Sequence, residues 1–184
     1  MKGKSKVVES RYFGLLISAA VYTFSILVGY ISGKYVLFVE PSFFNRYFLS
    51  QTNTKITWLA VITHNTLIIL LIAIGGLLSF GIVSAAILFS NGFYVGLTIA
   101  FALTRVSITY ILKKLLPHGI IEIPALLIAS SMGFRLLQVV LLYVFRRDSF
   151  EPNWKWEVKN FAIMLIISLL LLLCASVVEV FVSQ

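Results

Sequence analysis

Pro117-His118-Gly119-Ile120-Ile121-Glu122-Ile123-Pro124-Ala125 places an imidazole and a carboxylate four residues apart in a chain that is otherwise strongly apolar. If a helix starts at Pro117, where the missing N–H costs nothing, His118 and Glu122 project from one face about one turn apart. Such a pair can anchor a hydrogen-bonded network, pass a proton or hold a metal. Other polar side chains interrupt the apolar runs: His64 with Asn65, then Asn91, Arg135 and Glu179. Ionisable groups at membrane depth are costly and face a bundle interior or a wet cavity rather than lipid. His64, Asn65, Asn91, His118, Glu122 and Glu179 are therefore expected to converge in one polar intramembrane network. Arg135 calls for a carboxylate, and Glu179 is the candidate because it too lies in an apolar run.

Three chemistries remain open for these residues. The first is a structural network in which His118 orients the chain before its helix and Glu122 pairs with His64 or an asparagine. The second is a proton or substrate path, in which a buried Glu122 exchanges a proton reversibly. In the third, His64, His118, Glu122 and Glu179 supply nitrogen and oxygen ligands to a zinc-type ion. The metal reading lacks a His-Glu-x-x-His signature and a cysteine ligand. Ser18, Ser84, Ser130, Ser131 and Ser168 sit in no Gly-x-Ser-x-Gly setting and are expected to bond back to helix carbonyls. No Walker motif or dinucleotide fingerprint occurs, so nucleotide hydrolysis is not expected and no cofactor is implied. Cys174 stands alone, which excludes an intrachain disulfide.

Composition dictates what must position these groups. The 184 residues are 60% hydrophobic and 12% charged, against about 25% charged in soluble domains, and the mean hydropathy is +1.00. Apolar runs long enough to cross about 30 Å of hydrocarbon recur throughout. One integral membrane domain over residues 1–184 is expected, an all-α bundle of about five spans near 13–33, 57–79, 82–104, 119–145 and 161–182. The first run is too long for a cleaved signal peptide and reads as a retained anchor. Lys34 to Lys55 forms a polar-aromatic loop, Ser79-Phe80-Gly81 a tight hairpin, and residues 107–116 a re-entrant or interfacial helix ended by Pro117.

The net charge of +8 is spread over segments between spans, which points to membrane orientation rather than to nucleic acid. With the N-terminus cytoplasmic, eight basic residues fall inside (Lys2, Lys4, Lys6, Arg11, Arg146, Arg147, Lys155, Lys159) and six outside (Lys34, Arg46, Lys55, Arg105, Lys113, Lys114), the favoured orientation. Small residues recur every four positions as Ser25, Gly29, Gly33, as Gly92, Gly96, Ala100, and as Ala125, Ala129, Gly133. Such stripes let helices approach closely, within the chain or between copies in a homo-oligomer.

The Pro117–Ala125 segment with Ala129 and Gly133, His64-Asn65 before a glycine-rich hairpin, Asn91-Gly92 with Gly96, and Glu179-Val180-Phe181-Val182 together resemble the stage II sporulation protein M family over most of the chain. The resemblance implies a five-span membrane protein without established catalysis that, in sporulating bacteria, holds cell-wall hydrolases in a membrane complex. Similar proteins in circular-bacteriocin clusters accompany an ABC-type ATPase in peptide export or immunity. The function expected is thus assembly of a membrane complex of the cell-wall-remodelling type. The alternatives are a component of peptide export or immunity, and an intramembrane metal-dependent enzyme.

Overall fold

The computed structural model describes residues 3–39, 58–104, 108–145 and 153–182. Among the described residues there is no strand, as expected where lipid leaves backbone N–H and C=O groups to be satisfied within each segment. Helix α1 is Gly3–Val39. Helix α2 runs over Trp58–Leu70 and continues through a π-helical turn, Leu71–Gly75, into Gly76–Leu78. Then follow α3 (Ile82–Ala102), α4 (Ile108–Gly133), α5 (Arg135–Phe145) and α6 (Trp154–Val182). Among the described residues four stretches are long and apolar enough to cross a membrane, Tyr12–Phe38, Ile82–Ala102, Gly119–Phe145 and Trp154–Val178. Ile62–Leu78 is apolar but shorter. Helices α1 and α6 overrun their expected ends because Lys34, Lys155 and Glu157 are carried on helical turns. The loop expected from Lys34 starts after Val39 at the earliest, and residues 40–57 lie outside the described ones.

The joint between α2 and α3 is the tight hairpin its composition predicts. Gly81 N–H donates to the Gly76 carbonyl at 2.7 Å, the closure of a Schellman motif, with Phe80 (φ 53°) and Gly81 (φ 91°) both left-handed. Glycine takes that conformation freely, whereas Phe80 pays about 1–2 kcal/mol for it. Ser79 Oγ accepts the Val83 N–H at 3.0 Å and donates to the Gly76 carbonyl at 3.3 Å, so one hydroxyl ties the end of α2 to the start of α3.

Two of the small-residue stripes meet each other. A Cβ on Gly29 would overlap the Phe93 carbonyl, one on Gly96 the Ile26 carbonyl, one on Gly92 the Ser25 hydroxyl, and one on Gly33 would lie 2.7 Å from Ala100 Cβ. Backbone therefore touches backbone along α1 and α3. Residue numbers rise together along the contact, so the two helices run parallel.

The third stripe lies on α4. Ala125 and Ala129 are buried in the core with Tyr22, Ile69, Ile72, Leu88 and Leu172, drawn from α1, α2, α3 and α6. Gly133 meets α2 and α3 at one point, where Ser84 Oγ donates to the Ile72 carbonyl at 2.7 Å and a Cβ on Gly76 or Gly133 would overlap that hydroxyl. The Ile72 carbonyl in the π-helical turn accepts the Gly76 N–H, and Ser84 gives the same carbonyl a second donor from α3. Ser18, Ser130 and Ser131 bond back to their own helices, while Ser84 reaches across and Ser168 Oγ is buried without a partner.

Pro117 does not end a helix. Helix α4 is continuous from Ile108 to Gly133 through Pro117 and Pro124, so residues 108–116 are the first turns of the fourth span's own helix. Each proline removes one ladder bond, and membrane helices tolerate this where neighbouring groups compensate. At Phe134 the helix is broken, yet Phe134 N–H to Ser130 O and Gln138 N–H to Phe134 O, both 3.1 Å, carry the ladder across.

A bulky residue at Gly96 should separate α1 from α3. Gly96→Val is expected to cost about 1–3 kcal/mol in a detergent unfolding titration, whereas Gly119→Ala, where a Cβ meets nothing within 4 Å, should change the midpoint little.

Candidate functional site

The helices carry the polar residues to opposite ends of the bundle. A Cβ on Gly81 would overlap the Phe134 ring and one on Gly14 would lie 2.7 Å from the Ser131 carbonyl oxygen, so the start of α1, the α2–α3 hairpin and the end of α4 share one end. The start of α6 joins them through Arg135 and Glu157. His64 and Asn65 on α2, His118 and Glu122 on α4, and Glu179 on α6 lie on these same helices toward the other end.

These residues differ in depth and surroundings. Glu122 is half-buried, partnered, and close enough to the buried Tyr22 phenol to act on it electrostatically. Asn65 is half-buried on the turn preceding Ile69 and Ile72, whereas His64 is exposed, one position off that inward face. Asn91 is half-buried midway along α3, beside the Gly92–Ser25 contact. His118 and Glu179 lie in helical backbone, but their side chains fall outside the described ones. Among the described residues no cluster of three or more His, Cys, Asp or Glu could hold a metal ion, and the candidate set of His64, His118, Glu122 and Glu179 includes two side chains outside that description.

Arg135 does not reach Glu179. It pairs with Glu157: Nε donates to Oε2 at 2.8 Å and Nη2 to Oε1 at 2.6 Å, while Nη1 donates to Gln138 Oε1 at 2.7 Å. This fork matches a carboxylate in two places and is among the strongest polar contacts available. Side-chain exposure is 19% for Arg135 and 13% for Glu157, so the pair is largely withdrawn from solvent. Asn153 caps α6, its Oδ1 accepting the Trp156 N–H at 3.2 Å, and the positive helix start further favours the Glu157 carboxylate.

The pair lines a cavity of about 310 Å³ between α1, α4, α5 and α6. Its polar wall carries Tyr12, Ser131, Gln138 and Asn160 beside the ion pair, and its apolar wall is built from Leu15, Ile128, Met132, Phe161 and Met164, with Trp156 at the edge. Sequence reasoning missed this site. The signal was available: Glu179 closes the last apolar run and Glu157 precedes it, so assigning each acidic residue to an end of its span selects Glu157 as the partner on Arg135's side.

Against known proteins, the family model described as Stage II sporulation protein M matches residues 18–184. An uncharacterised protein of Methanocaldococcus jannaschii is 27% identical over 170 residues, covering 92% of this chain and 93% of the relative. No solved structure matches.

Removing one partner of the ion pair should leave the other charge stranded. Arg135→Met or Glu157→Met alone is expected to cost on the order of 3 kcal/mol, while the double variant recovers most of it, read as a double-mutant cycle by detergent unfolding.

Proposed function

The chain belongs to the Stage II sporulation protein M family, and from that premise we propose that it is a non-catalytic component that assembles a membrane complex of the cell-wall-remodelling type. The four apolar helices among the described residues, together with the family, make this a multi-pass membrane protein. Five crossings make it a single membrane domain. Parallel α1 and α3 require a return crossing between them, and α2 is the segment available, its 17-residue stretch Ile62–Leu78 spanning about 25 Å at the helical rise. With five crossings, Lys155 and Lys159 share an end with the N-terminal basic residues, and the positive-inside rule makes that end cytoplasmic.

The observation that carries the assembly role is the placement of His64, Asn65 and the helix positions of His118 and Glu179 away from the end that holds the Arg135–Glu157 cavity, with Glu122 deeper in the bundle near Tyr22 of the core. In this orientation they lie toward the outer face, where wall hydrolases act. Exposed His64 offers a contact to a partner, and the half-buried Glu122 holds the helices that present it. The glycine stripes are consumed inside the chain, which leaves polar groups rather than small-residue packing to select partners.

Glu122→Gln keeps the side chain's shape and removes its charge. Insertion and folding should persist, while recovery of partner proteins on affinity purification from native membranes falls about tenfold, the scale of one hydrogen bond to a charged group. Undiminished recovery with full cellular function would contradict the role. Enrichment of an ABC-type ATPase instead of a wall hydrolase would move the assignment to export or immunity.

A further inference from the structure

We propose that the cavity beside Arg135 and Glu157 binds the phosphate head of a membrane lipid. Arginine has five N–H donors, and three are engaged by Glu157 and Gln138, so two remain for acceptor oxygens of a ligand. Asn160 follows Glu157 by one helical turn and lines the same cavity, adding an amide donor. Glu157 accepts one hydrogen bond at each oxygen from Arg135 and keeps lone pairs for a hydroxyl. A head that combines a phosphodiester with hydroxyl groups satisfies both members of the ion pair without separating them.

The remaining wall selects for a lipid over a soluble phosphate ester. Ile128, Met132, Phe161 and Met164 give that side an apolar surface suited to the first methylenes of a chain. A volume of about 310 Å³ equals roughly ten water volumes, enough for a phosphoglycerol head and too small for acyl chains, which would extend into the bilayer. The cavity lies at the level of the membrane boundary: Glu157 is in the first turn of α6, next to exposed Trp154 and Lys155, and Tyr12 opens the apolar stretch of α1. Lys155 and Lys159 add positive charge on that turn. Pockets of this kind between membrane helices on the cytoplasmic side suit anionic headgroups.

Native mass spectrometry of the full-length protein in detergent, titrated with dioleoylphosphatidylglycerol, tests this against dioleoylglycerol, which lacks phosphate, and glycerol phosphate, which lacks chains. One phosphatidylglycerol per chain is expected, with at least about fivefold lower occupancy by either comparison ligand. Asn160→Leu removes a donor and Met164→Trp fills the apolar side, and neither touches the ion pair. Each should lower phosphatidylglycerol occupancy about fivefold with an unchanged unfolding midpoint. Equal occupancy by dioleoylglycerol would overturn the phosphate contact, equal occupancy by glycerol phosphate would overturn the lipid, and undiminished binding by both variants would overturn the site. The ligand comparison on the unaltered protein decides the matter even if a variant fails to fold.

Discussion

The backbone contact between α1 and α3 is the constraint from which the rest of the bundle follows. In lipid no hydrophobic force drives helices together, and dispersion at short range must hold them. Gly29, Gly92 and Gly96 bring main chain against main chain, with Gly33 seated on Ala100. Because the contact runs parallel, a return segment must lie between the two helices, which places α2 beside α3 and demands the hairpin at Ser79–Gly81. The strain of a left-handed Phe80 is offset there by the Schellman closure and the two hydrogen bonds of Ser79.

That arrangement sorts polarity along the bundle. Its middle is filled by Ile69, Ile72, Leu88, Leu126 and Leu172 with alanines, and charge is pushed to the two ends. At one end Arg135 and Glu157 neutralise each other in a forked pair; toward the other His64 faces outward, while Glu122 departs from this sorting and is sheltered near Tyr22 of the core. The irregular backbone gathers at the first end: the π-helical turn of α2, left-handed Phe80 and the break at Phe134 meet through Gly76, Ser84, Gly133 and Gly81. At the π-helical turn the Ile72 carbonyl is held twice, by the Gly76 N–H of its own helix and by the Ser84 hydroxyl of α3.

Much of the fold was legible in the sequence because membrane helices announce themselves by length and hydropathy, and the apolar runs and Ser79–Gly81 do so directly. The Gly29 and Gly92 stripes were legible as contacts, though not as contacts with each other, since spacing alone names no partner. Pro117 misled: proline disfavours helix interiors in water, whereas here α4 runs through it. Of the polar residues, Glu122 and Asn65 could be placed from the period of their helices, and His64 lies one position off the buried face, a difference that burial decides and spacing does not. The Arg135 partnership was the clearest miss. Both Glu157 and Glu179 are carboxylates on the last helix, and only the direction of that helix relative to α4 distinguishes them.

The parallel pairing of α1 and α3 is tested most directly by sidedness. With Cys174 replaced by serine, single cysteines at Lys34, Leu78 and Lys155 can be labelled by a membrane-impermeant thiol reagent in vesicles of known orientation. Leu78 and Lys155 should label from one side and Lys34 from the other. Labelling of Lys34 and Leu78 from the same side would contradict the parallel contact and the five-crossing arrangement built on it.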